Sequence, residues 1–161
     1  MFKLILFIFA LILSSCSSDD TSDLLIDQNL YEDNKLDDLE LYKNANKFIT
    51  QNQLDAALIE IDKIEVLYPS SYYATKSMLL ESYIYFLKEE YETTRAIAEN
   101  YQKYYPGSKD MVYAYYLEAM TYYVLIKRPD YSQKNASKAK DKFNFILNAY
   151  PNSIYEIDIV T

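Results

Sequence analysis

The sequence predicts an all-α fold: a solenoid of about three helical hairpins that follows an export signal and a polar tether. Two observations predict the hairpins. Three Tyr-Pro turns carry matching residues at the same distances upstream, and each is preceded by an earlier apolar stripe with i, i+4, i+7 spacing. A third observation concerns turns, since the chain has one glycine in 161 residues. Gly-rich phosphate loops and most tight β-hairpins need several, so the long periodic stretches read as helices.

The amino terminus comes first. Lys3 supplies one positive charge, and residues 4–13 form an unbroken apolar run. A membrane-spanning helix needs about 20 such residues, so this run is too short and matches the core of a signal peptide. Leu13-Ser14-Ser15-Cys16 follows and contains the only cysteine. It resembles the lipobox of bacterial lipoproteins, in which cleavage precedes a cysteine that already carries a diacylglyceryl thioether.

That resemblance implies a signal peptide over residues 1–15 and lipidation at Cys16. No cofactor is expected beyond the covalent diacylglycerol and N-acyl chain on that cysteine. Each buried lipid methylene contributes about 0.8 kcal/mol, and stable anchoring needs more than one chain. A triacylated cysteine meets that requirement. Residues 16–36 read as the acylated cysteine and a flexible tether, since 17–23 are Ser, Thr and Asp throughout.

The repeat domain is expected over residues 37–161, with units at about 37–71, 72–108 and 109–153. Its turns are Tyr68-Pro69-Ser70-Ser71, Tyr105-Pro106-Gly107-Ser108 and Tyr150-Pro151-Asn152-Ser153. Counting back from each proline by the same steps reaches Ala57, Ile61 and Ile64, then Thr94, Ala98 and Tyr101, then Ala139, Phe143 and Ile146. Each trio lies on one face of a helix that the proline then closes. The upstream helices carry Leu41, Ala45 and Phe48, then Met78, Ser82 and Tyr85, then Tyr115, Ala119 and Tyr122. The middle member is always small, which lets the two helices of a hairpin approach closely.

This is the pattern of tetratricopeptide repeats, whose usual period is about 34 residues. The units here are stretched. Extra residues follow each Tyr-Pro turn, and more lie around 127–132, between the helices of the third unit.

Lipobox and stretched repeats together resemble the BamD family, lipoproteins of the outer-membrane β-barrel assembly machine. The residues that carry the resemblance are the turn 68–74, Ser82-Tyr83-Ile84-Tyr85-Phe86, Val112-Tyr113-Ala114-Tyr115-Tyr116-Leu117, and Tyr150-Pro151-Asn152-Ser153-Ile154-Tyr155 with Asp158. Departures exist: Thr94 stands where the family usually has Ala, and the insertion reads Arg128-Pro129-Asp130. The family carries about five hairpins, so the resemblance implies a form shortened after three. It also implies a scaffold that binds unfolded outer-membrane proteins and docks the barrel-forming subunit and other assembly lipoproteins. Its place would be the outer membrane, facing the periplasm, and Ser17 after Cys16 is compatible with that sorting. The alternative is a periplasmic repeat adaptor for cell-envelope or peptidoglycan machinery.

Composition excludes other classes. Without residues 1–15 the chain keeps 24 acidic residues and loses one of its 16 basic ones, Lys3, for a formal charge of −9. An acidic chain without basic-aromatic runs is a poor nucleic-acid binder. No histidine occurs, so Ser-His-Asp triads and His-based zinc sites are ruled out and no enzyme is expected. The carboxylate pairs Asp37-Asp38 and Glu89-Glu90 read as helix-start residues favoured by the dipole.

Nineteen tyrosines remain to be placed. Tyr85, Tyr101, Tyr115, Tyr122 and the three turn tyrosines occupy packing slots of the repeat. Tyr83, Tyr113 and Tyr116, with Lys76 and Glu81, lie off that stripe on first helices, the side that lines the groove of a solenoid. They are the candidate peptide-binding residues. The end of the chain, with Ile154, Ile157, Ile159 and Val160, reads as the start of a further helix, leaving the third unit's outer face under-covered.

Overall fold

The computed structural model describes residues 36–126 and 132–155. Six helices follow one another: α1 Asp38–Thr50, α2 Leu54–Leu67, α3 Tyr72–Leu87, α4 Tyr91–Tyr104, α5 Met111–Leu125 and α6 Ser132–Ala149. There is no strand among the described residues. The fold is therefore all-α, with hairpins at 38–67, 72–104 and 111–149. Cys16, the tether up to Lys35, the segment 127–131 and the residues after Tyr155 lie outside the described residues. Among those described, no helix is long and apolar enough to cross a membrane.

The first two hairpins close by the same chemistry, without glycine. At the end of α1, Asn52 takes the left-handed conformation at φ 57°. The amide of Gln53 donates to the Phe48 carbonyl and that of Asn52 to Ile49. At the end of α3, Glu89 does the same at φ 61°, with Glu90 donating to Tyr85 and Glu89 to Phe86. These are Schellman closures, in which two orphan helix carbonyls gain donors. Asn tolerates the left-handed region, whereas Glu89 holds it against a steric cost of roughly 1–2 kcal/mol.

The three Tyr-Pro turns repeat to the atom. Tyr68, Tyr105 and Tyr150 each donate their amide to the carbonyl four residues back, and each accepts through its own carbonyl from the amide of Ser71, Ser108 or Ser153. Each helix thus ends two residues before its proline, as steric conflict with the proline ring requires. The first turn spans only residues 68–71, so the extra length after Pro69 is taken up by α3, which begins at Tyr72 with Ser71 as its cap. Asp37 caps α1 by accepting from the Glu40 amide at 2.8 Å. Tyr68 also fastens the residues that lead into α1, donating its hydroxyl to the Leu36 carbonyl at 3.0 Å.

The predicted small positions lie in the core. Ala45, Ser82, Ala119, Ala57 and Thr94 are fully buried and Ala139 is nearly so, with Ala98, Ile61, Ile64, Tyr101 and Ile146 buried at the apolar positions. Thr94, the departure from Ala, is fully buried. Ser82 donates its hydroxyl to the Thr94 carbonyl at 3.0 Å, while Thr94 returns its own hydroxyl to the Glu90 carbonyl. The second hairpin therefore carries a hydrogen bond between its helices where the first buries Ala45 and Ala57 in one cluster.

Successive helices pack on one another along the whole chain, and the first helices also touch in turn, α1 on α3 and α3 on α5. The second helices do not close up in the same way, so the stack bends with α1, α3 and α5 on its inner side. That curvature places the groove.

Candidate functional site, a tyrosine groove

The inner stripe of α3 runs through Lys76, Leu80 and Tyr83, with Tyr42 of α1 on one side and Tyr113 and Tyr116 of α5 on the other. A cleft of about 220 Å³ opens here, bounded by Tyr42, Lys76, Leu79, Asp110, Tyr113 and Tyr155. Four of the five predicted residues, Lys76, Tyr83, Tyr113 and Tyr116, are on this side. None of the three tyrosines is freely exposed: Tyr83 packs on the core shared by Ala45, Ile61 and Ile84, and Tyr113 on the one formed by Leu79, Tyr101 and Ala114.

The repeat frame explains how the groove is built. The fourth residue after each turn proline is Tyr73, Asp110 or Tyr155, and it reaches back to the preceding first helix. Tyr73 meets Tyr42 with ring centroids 5.1 Å apart, and Tyr155 stacks on Tyr116 at 4.7 Å and on Tyr113 at 5.5 Å. At the middle junction the ring pair is replaced by an ion pair, Lys76 to Asp110 at 3.0 Å. The groove thus has aromatic pairs at its ends and one charge pair at its centre. Tyr and its ring partners supply broad, stiff contact area at small entropy cost.

Burial sets the charge states. It pushes the Tyr113 hydroxyl well up, helped by Tyr155, Tyr83, Tyr116 and Tyr42, so that hydroxyl stays a neutral hydrogen-bonding group. For Lys76, burial is the largest influence and pulls downward. The bonds to Asp110 and Tyr72 outweigh it, and the ammonium is held above its ordinary value. What the site offers is an apolar, aromatic trough with a few hydrogen-bonding tips, suited to a peptide chain.

Glu81 stands apart from the other four. At about 100° per residue it lies some 140° around α3 from Lys76, against the acidic row of α2. Burial pushes its carboxyl up to about 7, with Glu65 and Asp62 adding repulsion. Glu65 is raised as well, by burial and then by Asp62. Glu81 is therefore not part of the tyrosine groove, because the helical turn between positions 81 and 83 sends the two side chains to opposite sides.

That placement has a measurable consequence. Between about 4.5 and about 7 the folded chain keeps a proton on Glu81 that the unfolded chain has released, so stability falls as pH rises through this window. Glu81→Gln should remove this fall and gain about 1 kcal/mol at mildly alkaline pH, allowing for solvent screening of a half-exposed group. Urea midpoints of both proteins across the window would show it. Parallel pH profiles would contradict it.

Tyr42, Leu79, Asp110 and Tyr155 were not singled out from sequence. A signal for Tyr42 was present, because it occupies the same repeat position as Tyr116, one residue after the first member of each upstream trio.

Comparison with known proteins bears on what such a groove is for. The family model described as YfiO, outer membrane lipoprotein, matches residues 34–161. The chain belongs to this family. The BamD-family resemblance in the sequence is thereby supported by a match across the whole repeat domain. Among curated relatives, the outer membrane protein assembly factor BamD of Rickettsia prowazekii is 30% identical over 118 residues, covering 73% of this chain and 47% of its own length. The BamD proteins of Caulobacter vibrioides and Pasteurella multocida are 24% and 25% identical. They cover 73% and 74% of this chain and 39% and 50% of their own lengths. The chain spans about half the length, or less, of the curated relatives it matches.

Proposed function

We propose that this chain is a non-enzymatic scaffold in outer membrane protein assembly, as its relatives' names describe them, and that it holds client segments on the tyrosine groove. Family membership supports the assembly role. The observation that carries the binding role is the run of tyrosines from Tyr42 through Tyr83 to Tyr113 and Tyr116 along the inner helices. An extended strand with alternating apolar residues and an aromatic end presents side chains on one face every second residue, which suits a stiff aromatic trough. In this reading Lys76 keeps the centre of the groove in shape through Asp110, while the rings supply contact.

Anchoring belongs to the same proposal. Cys16 carries the lipid, residues 17–36 form the tether, and the repeats face the periplasm from the outer membrane. The barrel-forming subunit and other assembly lipoproteins are the partners.

A peptide copying the aromatic-ended last strand of a barrel protein, labelled for anisotropy, should bind the protein. The double variant Tyr83→Ala, Tyr116→Ala should weaken binding about tenfold or more, since each lost ring removes roughly 1 kcal/mol or more of contact. A scrambled peptide that binds equally well, or a variant that binds as wild type while remaining folded by circular dichroism, would remove the groove from the proposal.

A further inference from the structure

The outer side of the stack has a site of a different chemistry. Because α4 and α6 do not close on each other, a furrow of about 430 Å³ runs between them, floored by Tyr122 and Leu125 at the end of α5. Three cations line it: Arg95 from α4, and Lys134 and Lys138 from α6. Glu92 and Glu99 on its α4 wall leave the furrow with one net positive charge, on a chain whose formal charge is −8.

Arg95 is built in rather than draped over the surface. It is 8% exposed, donates from Nη1 to the Thr121 hydroxyl at 3.1 Å and pairs with Glu92. The Thr121 hydroxyl in turn donates to the Glu118 carbonyl at 2.7 Å, which fixes the guanidinium's support. Arg95 Cζ and Lys138 Nζ each lie 4.8 Å from the centre of the Tyr122 ring, so one ring positions both cations. Among the described residues, neither Lys134 nor Lys138 enters an ion pair.

A second, independent observation points to a missing acceptor. Asn135 lines the furrow and is 7% exposed, and its amide Nδ2 is buried without any hydrogen-bond partner. A buried donor left unpaired costs about 1–3 kcal/mol, and native structures seldom carry one without a use.

We propose that this furrow binds a carboxylate side chain of a partner polypeptide, with Asn135, Arg95 and Lys138 as its donors. A single negative charge matches the net charge of the furrow, whereas a phosphate dianion would exceed it and meet Glu92 and Glu99 with twice the charge. The apolar floor of Tyr122 and Leu125 takes the residue beside the acid. The site is separate from the tyrosine groove and does not depend on it.

The test uses isotope-labelled protein and an amidated pentapeptide with one glutamate between leucines, alongside its glutamine counterpart, inorganic phosphate and vesicles of phosphatidylethanolamine with phosphatidylglycerol. The glutamate peptide should shift the Asn135 side-chain amide resonance saturably, and the glutamine peptide should bind about tenfold more weakly. Lys138→Glu, at an exposed position, should abolish the shift while leaving the rest of the spectrum in place. Equal shifts from the two peptides, shifts confined to other residues, or phosphate binding as tightly as the glutamate peptide would each overturn the proposal. Vesicle binding that Lys138→Glu removes would assign the furrow to a lipid surface and overturn it as well.

Discussion

Tyr101→Ala is expected to destabilise the repeat domain by about 3–5 kcal/mol, the range for truncating a fully buried aromatic. The ring is 0% exposed and sits where three elements meet, packed with Leu79 of α3 and Ala114 of α5 while belonging to α4. Its hydroxyl shares a 2.7 Å hydrogen bond with Ser108 Oγ, which also accepts from the Asp110 amide, so the ring and the second Tyr-Pro turn form one unit. Its neighbour Tyr105 lies 5.1 Å away.

Truncation therefore opens a cavity and loosens the turn that feeds α5. Tyr101→Phe keeps the ring and loses one hydrogen bond, a cost of about 1 kcal/mol. Urea unfolding followed by circular dichroism separates the two. In a stack where each hairpin is held mainly by its neighbours, damage at the middle junction should also lower the m-value, because the outer hairpins then unfold apart. A loss below about 1 kcal/mol for the alanine variant would show that the junction is held elsewhere.

The repeat frame was legible because its signal is redundant. Proline stops each second helix, and the residues counted back from it must share a face whatever their exact identity. Ala57, Ile61 and Ile64 are buried at the predicted positions, as are Ala45, Ser82 and Ala119 at the small ones. Thr94 was visible as a departure from Ala, but the bond that its backbone carbonyl accepts from the Ser82 hydroxyl lies across the hairpin, where no spacing along one helix reveals it.

The groove was legible in part. Tyr83, Tyr113, Tyr116 and Lys76 follow from their positions on first helices, while Glu81 needed the exact turn of α3. Asp110 escaped notice because its role depends on Lys76, 34 residues away. Arg95, Asn135 and Glu118 escaped for a related reason. Charged and amide residues on helices are most often solvated, and only the packing of three helices shows which of them are buried.

Glu118 anchors an ion pair whose two halves should be unequally costly to remove. Its carboxylate, on α5, is 1% exposed and holds Lys142 of α6 at 2.6 Å and Gln102 of α4 at 3.1 Å, so one side chain ties three helices together. Lys142 keeps about a third of its side chain in water. Truncating the more exposed partner should nonetheless cost more. Lys142→Met leaves the carboxylate buried with one amide donor, which puts the cost at about 2–3 kcal/mol, at or just below the range for breaking a buried pair because water reaches the lysine end. Glu118→Met leaves Lys142 able to turn to solvent and replaces the carboxylate with an apolar chain of similar length, for about 1 kcal/mol. Combining the two should restore part of the loss, and the double-mutant cycle should give a coupling of 1 kcal/mol or more. Equal single losses with no coupling would mean that the carboxylate is already hydrated, and that packing alone holds α4 and α6 on α5.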